Sequence, residues 1–135
     1  MNEHLTGEFD PKQYQSLLDI LEHAVKEHGH RPAYTCLSRT LTYAEVDSLS
    51  NSFARFLIEK TSLKEGDRIA IQLPNVLQFP IAMFGALKAG LIVVNTNPLY
   101  TAREMRHQFI DSGVKAIVIL ANFCEKLERV KRETA

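Results

Sequence analysis

The chain has 135 residues and a mass of 15.3 kDa, enough for one domain with a core and too short for two ordinary ones. Hydrophobic residues at 45% and charged residues at 24% exclude a disordered or fibrous chain. Sixteen basic residues balance sixteen acidic ones, so no global field draws in nucleic acid, and a nucleic-acid partner is not expected.

Charge is unevenly spread: residues 1–30 carry two basic and six acidic side chains. Residues 1–15 read as a flexible N-terminal segment, with Asp10-Pro11 a turn or false start. Ser16 and Asp19 have the spacing of a capping box, and Leu17, Leu18, Leu21, Ala24, Val25 and His28 follow on one helical face. Gly29 is the expected left-handed stop, and Arg31-Pro32 forces extended backbone. Ala33–Leu37 and Thr40–Thr42 read as a hairpin joined by Ser38-Arg39.

Thr42 and Glu45 form a second capping box, opening a helix to about Lys60 with Val46, Leu49, Phe53, Phe56 and Leu57 inward. Glu65-Gly66-Asp67 is a turn and Arg68–Leu73 a strand. Asn75 is the expected cap of the next helix, whose face is Val76, Phe79, Met83, Ala86 and Leu87. Pro80 there should strain or delay the helix start. Gly90 stops it, and Leu91–Val94 is a strand. Asn95–Tyr100 is a polar loop, and Thr101 with Glu104 is a third capping box for a helix ending at Gly113. Lys115–Leu120 is a strand, and Asn122 is the expected cap of a last helix carrying Phe123, Leu127 and Val130. That helix is still amphipathic at Lys131, Arg132 and Glu133, with no stop signal, so the sequence reads as a piece of something longer.

The order is αββαβαβαβα. Strands alternating with helices predict an α/β fold: a partial parallel sheet with flanking helices over residues 16–135. The apolar runs Leu91–Val94 and Ala116–Ala121 are far short of a membrane span. Cys36 and Cys124 form no CxxC and follow no secretory pattern, so two buried thiols in a reducing, cytoplasmic protein are expected.

Motifs that carry chemistry are sparse. Gly85-Ala86-Leu87-Lys88-Ala89-Gly90 lacks the Gly-Lys-Ser/Thr ending of a phosphate loop and ends a helix rather than opening one. It reads as a small-residue helix end packed on the sheet. No GxGxxG occurs. His4, His23, His28, His30 and His107 lack the spacing of metal ligands. His107 has no nucleophile beside it in sequence and reads as a surface or half-buried residue. Asn95–Arg103 is the most unusual stretch, at the C-terminal end of a parallel strand where such sheets place ligands. Asn97, Pro98 and Thr101 suit the turn and the cap, while Asn97, Tyr100 and Arg103 are also the candidates for ligand contact.

Several segments together resemble the adenylate-forming acyl ligases. Leu41-Thr42-Tyr43-Ala44-Glu45-Val46 and Leu87-Lys88-Ala89-Gly90 look like the first two core motifs of that family. Gly66–Ile71, Leu73-Pro74-Asn75, Asn97–Thr101, Glu104 and Asp111-Ser112-Gly113 keep the family order and spacing. Gln78–Gly85, Val93–Thr101 and His107-Gln108 look most like the bacterial long-chain fatty-acid–CoA ligases. Many other branches carry a proline where this chain has Asn95.

The resemblance implies the early part of the large N-terminal domain of an AMP-forming ligase using ATP, magnesium, a fatty acid and coenzyme A. A fatty acid carboxylate attacks the α-phosphorus of ATP, giving acyl-adenylate and pyrophosphate, and the thiol of coenzyme A then displaces AMP. The family's phosphate loop, magnesium-side glutamate, ribose-binding aspartate and catalytic lysine are expected beyond residue 135. No catalytic, cofactor-binding or metal residue is therefore assigned within the chain, and the segment alone is expected to be inactive. Exposed edges predict self-association. The resemblance also implies peripheral contact with the inner face of the membrane. Two rivals stand beside this reading: a ligase of the same family for another acid or a carrier protein, and a stand-alone, non-catalytic α/β interaction module.

Overall fold

The computed structural model describes residues 10–134. Residues 1–9, with His4 and most of the 1–15 segment, lie outside the described residues, as does Ala135. A short 3-10 turn, Pro11–Gln13, is capped by Asp10, whose side chain accepts from Lys12 N.

Helix α1 spans Leu17–His28, with both bonds of the Ser16–Asp19 capping box present. Gly29 is not left-handed as expected: its φ is −48° and ψ −37°. It is needed for space, because a Cβ there would lie 2.6 Å from the Val25 carbonyl oxygen. Strands β1 (Pro32–Cys36) and β2 (Arg39–Thr42) pair antiparallel, with the two-residue loop at Leu37-Ser38, one position earlier than the sequence suggests. Leu37 takes the left-handed turn position at φ 54°, where leucine is strained.

Helix α2 spans Tyr43–Lys60, opened by the Thr42–Glu45 capping box. Its buried stripe is Val46, Ser50, Ala54 and Leu57. Leu49 and Phe56, expected inward, are exposed. Helix α3 (Gln78–Lys88) crosses α2 at Gly85, whose close neighbours are Phe53 and the Ser50 backbone. Phe56 is instead stacked on Phe53, ring centroids 6.2 Å apart.

Asn75 does not cap α3: Leu77 is the cap residue, with no side-chain bond. The Val76 N–H donates to Pro74 O at 2.8 Å, so a turn occupies the place where the first helical turn was expected. The delayed start leaves Pro80 within the first turn, where its missing N–H costs nothing. The helix is buried on more than the expected face, at Pro80, Ala82, Phe84, Gly85 and Ala86, because it lies between the sheet and α1–α2.

Among the described residues β3 (Arg68–Gln72), β4 (Ile92–Asn95) and β5 (Val114–Ile119) form a parallel sheet in the order β4-β3-β5. Ile69 pairs with Val93 and Ala116, and Ile71 with Asn95 and Val118. Ile69 and Ile71 face α2 and α3, packing with Leu57, Ala82 and Ala86. Strand alternation sends Ala70, Gln72 and Ile117 to the other face. There α4 (Ala102–Ser112) and α5 (Cys124–Thr134) cover the sheet, and Phe109, Leu127 and Val130 line a cleft with Ile117. Outside α2 and α3, Leu21 of α1 and Leu41 of β2 join Val46 and Phe84 in a further cluster.

Gly113 ends α4 at φ 65° as expected, whereas Asn122 lies inside a 3-10 turn, Ala121–Phe123, and caps nothing by its side chain. Neither cysteine is buried as expected: Cys36 is half-buried on the hairpin, and Cys124 is exposed at the start of α5. No helix among the described residues is long and apolar enough to cross a membrane.

Candidate functional site

The C-terminal rim of the sheet is where a parallel α/β fold offers a ligand site. The loop after β4 sits there, and side chains from neighbouring elements hold it. Gln72, at the end of β3, is fully buried, and its Nε2 donates to Asn97 O at 3.1 Å. Gln108 on α4 donates from Nε2 to Asn95 O, also at 3.1 Å. Lys126 on α5 donates to Tyr100 O at 2.9 Å. Within the loop, Asn97 Oδ1 accepts from Leu99 N at 2.9 Å, and the Tyr100 N–H donates to Asn97 O at 3.1 Å. Thr101 then caps α4, accepting from Glu104 N while Glu104 accepts from Thr101 N.

Asn97 and Thr101 are therefore occupied in shaping the loop. Arg103 and His107 are exposed on α4, and with Tyr100, Gln108 and Asp111 they line an open depression of about 460 Å³. The structure brings these residues together with Glu104, so the depression carries both basic and acidic side chains. Hydrogen bonds from the Thr101 backbone and side chain hold the Glu104 carboxyl below its ordinary value, with the Lys126 charge adding a smaller pull.

The Gly85–Gly90 stretch ends α3, as its sequence suggested, but packs on α2 as well as on the sheet. Gly85 lies against Phe53 and Ser50, and Gly90, at φ 75°, lies against the Glu65 side chain. Gly90 N donates to Leu87 O, and Gly66 N donates to Gly90 O. These amides are spent inside the fold and do not form a phosphate cradle. No group of three His, Cys, Asp or Glu side chains among the described residues converges on a possible metal position. Among the described residues the Gly85–Gly90 stretch thus does not fit a nucleotide phosphate.

Lys88, inside that stretch, bonds to three side chains of α2. Its Nζ meets Asp47 Oδ1 at 2.7 Å, Ser50 Oγ at 2.8 Å and Asn51 Oδ1 at 2.8 Å, tying α3 to α2. At the opposite rim Asp67 joins three segments. It accepts from Lys115 Nζ at 2.6 Å and from Lys64 N at 2.9 Å, and its own carbonyl accepts from Ile92 N. The Lys115 hydrogen bond, then the Lys64 amide, hold its carboxyl below the usual range.

Sequence reasoning missed Gln72 as the anchor of the rim loop. The signal was a lone amide closing the apolar run Ile69-Ala70-Ile71, which in a two-sided buried strand demands a partner.

Comparison with known proteins agrees with this architecture. The chain is 45% identical over 129 residues to the long-chain-fatty-acid–CoA ligase of Salmonella typhimurium, covering 96% of this chain and 23% of that protein. It is 49% identical over 121 residues to the long-chain-fatty-acid–CoA ligase of Haemophilus influenzae, covering 90% of this chain and 22% of that protein. The chain thus spans less than a quarter of the length of these curated relatives. Among solved structures, the anthranilate CoA ligase AuaEII in complex with anthranoyl-AMP matches with a TM-score of 0.79 at 20% identity. The match covers 85% of this chain and 22% of that one, a likeness of fold alone. The N-terminal domain of FACL13 from Mycobacterium tuberculosis matches at a TM-score of 0.76 and 26% identity, over 83% of this chain and 28% of that one. A family model described as AMP-binding enzyme matches residues 21–135, and the chain belongs to that family.

Proposed function

We propose that this chain is the early part of the N-terminal domain of an ATP-dependent, AMP-forming long-chain fatty-acid–CoA ligase. The identity of 45% or more, sustained over nine-tenths of the chain, to ligases of that name carries the reading. Within it, residues 16–135 act as scaffold. The reaction converts a carboxylate, whose oxygen is a poor leaving group, into an acyl-adenylate whose AMP leaves readily. Cations and oriented amides must offset phosphate charge during that transfer. The reading assigns ATP, magnesium and coenzyme A to sequence outside this segment, consistent with amides and carboxylates here that are engaged in folding. It also makes the protein cytoplasmic, with peripheral contact at the inner face of the membrane, where long-chain acids partition.

The isolated chain is expected to form no acyl-adenylate and to self-associate through the outer strands β4 and β5, whose edges are open in the described sheet. The test is pyrophosphate exchange by the complete protein that carries this sequence. Exchange dependent on long-chain fatty acids supports the reading. Exchange driven only by aromatic or amino acids transfers the protein to another branch of the family, and no exchange with any acid leaves a non-catalytic module.

A further inference from the structure

We infer that Gln72, Gln108 and Thr96 together bind one internal water molecule beneath the rim loop, so that β3, the loop and α4 are joined through it. The two glutamines bracket Thr96. Gln108 Nε2 donates to Asn95 O, just before it, and Gln72 Nε2 donates to Asn97 O, just after it, each at 3.1 Å. A carbonyl oxygen only accepts, so each amide must turn its nitrogen to the loop, and its own oxygen is left as an acceptor. Both of these oxygens, Gln72 Oε1 and Gln108 Oε1, are buried and have no hydrogen-bond partner among the described residues. Buried amide oxygens in that state are costly and rare.

The chemistry around them selects the ligand. The Thr96 N–H continues the ladder to Ile71 O at 3.1 Å, and strand alternation turns its side chain to the α4 face, where Gln72 lies. Its hydroxyl is 3.4 Å from Val94 O, at the long limit of a hydrogen bond, and is free to donate elsewhere. Gln72 is 0% and Thr96 4% exposed, so whatever reaches them must be small. Water has two hydrogens, one for each orphaned oxygen, and a lone pair for the Thr96 hydroxyl. That makes three bonds, the usual number for an internal water. The three side chains are uncharged, so a metal cation in the same place would go uncompensated. None of the three has a part in the proposed acyl transfer, so the site stands apart from the ligase reading.

The test is a high-resolution crystal structure of the complete protein that carries this sequence, from crystals grown with rubidium as the monovalent cation. One water peak is expected about 2.8 Å from both glutamine oxygens and from Thr96 Oγ1, with no anomalous rubidium signal. Thr96→Val keeps the shape without the hydroxyl and should lose the peak, while Thr96→Ser should keep it. Hydrogen exchange of the peptide containing residues 95–101 reads the same tie in solution. It should quicken about fivefold in Thr96→Val and stay at the parent rate in Thr96→Ser. No density within reach of both oxygens, a rubidium peak there, or a protein N–H or O–H bonded to either oxygen would each overturn the proposal. So would a Thr96→Val protein that keeps the peak and the parent exchange rate. Because no adenylation is measured, failure here is distinct from failure of the ligase reading.

Discussion

Replacing Gly85 with alanine probes the contact on which the helical layer is built. A Cβ at this position meets Phe53 Cδ1 at 2.8 Å, Ser50 O at 3.0 Å and Phe53 Cβ at 3.1 Å. Alanine gains about 1 kcal/mol over glycine in a helix interior. Overpacking a tight contact costs about 1–3 kcal/mol. The Phe53 ring can turn, but Ser50 O is α2 backbone and Phe53 Cβ is fixed to it, so α2 itself must move away. That movement also pulls on Lys88, which holds Asp47 and Ser50 at 2.7 and 2.8 Å. The clash therefore wins, and Gly85→Ala should lose about 1–2 kcal/mol net. For a domain of this size, that lowers the thermal midpoint by about 3–8 °C. Far-UV circular dichroism during heating and in urea reads it. Combining the change with Phe53→Leu should recover at least about 0.5 kcal/mol relative to additivity. A midpoint equal to or above that of the parent, or strict additivity with Phe53→Leu, would refute the close-approach role of Gly85.

Two further perturbations test the polar ties. Lys88→Met should cost about 2 kcal/mol in urea denaturation, because Asp47, Ser50 and Asn51 lose their shared donor in a partly buried setting. Lowering pH should destabilise the chain. Asp67, Glu45 and Glu104 have folded pKa values depressed below 3.8, 4.5 and 4.5 respectively. Their contribution is present above those ordinary values and is lost as pH falls through the folded ones. The urea midpoint should therefore decline below about pH 4.5, and Asp67→Asn should make that decline shallower.

Local signals were the most legible. All three capping boxes stand where a Ser or Thr precedes an acid by three residues, because that bond pattern is decided within four residues of chain. The parallel sheet followed from alternation of strand and helix patterns. What failed depended on neighbours distant in sequence. The inward face of α2 was read from its large side chains, yet Leu49 and Phe56 are exposed while Ser50 and Ala54 are buried, and the close approach of Gly85 on α3 meets Ser50 and Phe53. Gly29 was read as a left-handed stop, but crowding by Val25 O, not dihedral sign, demands glycine there. Asn75 and Asn122 have capping chemistry and lie in turns that precede or open the helices without capping them. Gln72 gained its role only when the chain brought Asn97 beside it.

The scaffold role is tested most directly by exchange with a relative. The chain would replace the aligned segment of the Salmonella typhimurium ligase, to which it is 45% identical over 129 residues. Palmitate-dependent AMP release and acyl-CoA formation are then measured on the folded chimera. A scaffold without reacting groups predicts activity within about tenfold of the recipient, with its chain-length preference unchanged. A stable chimera that loses adenylation altogether, or that adopts a new acid preference, would contradict it.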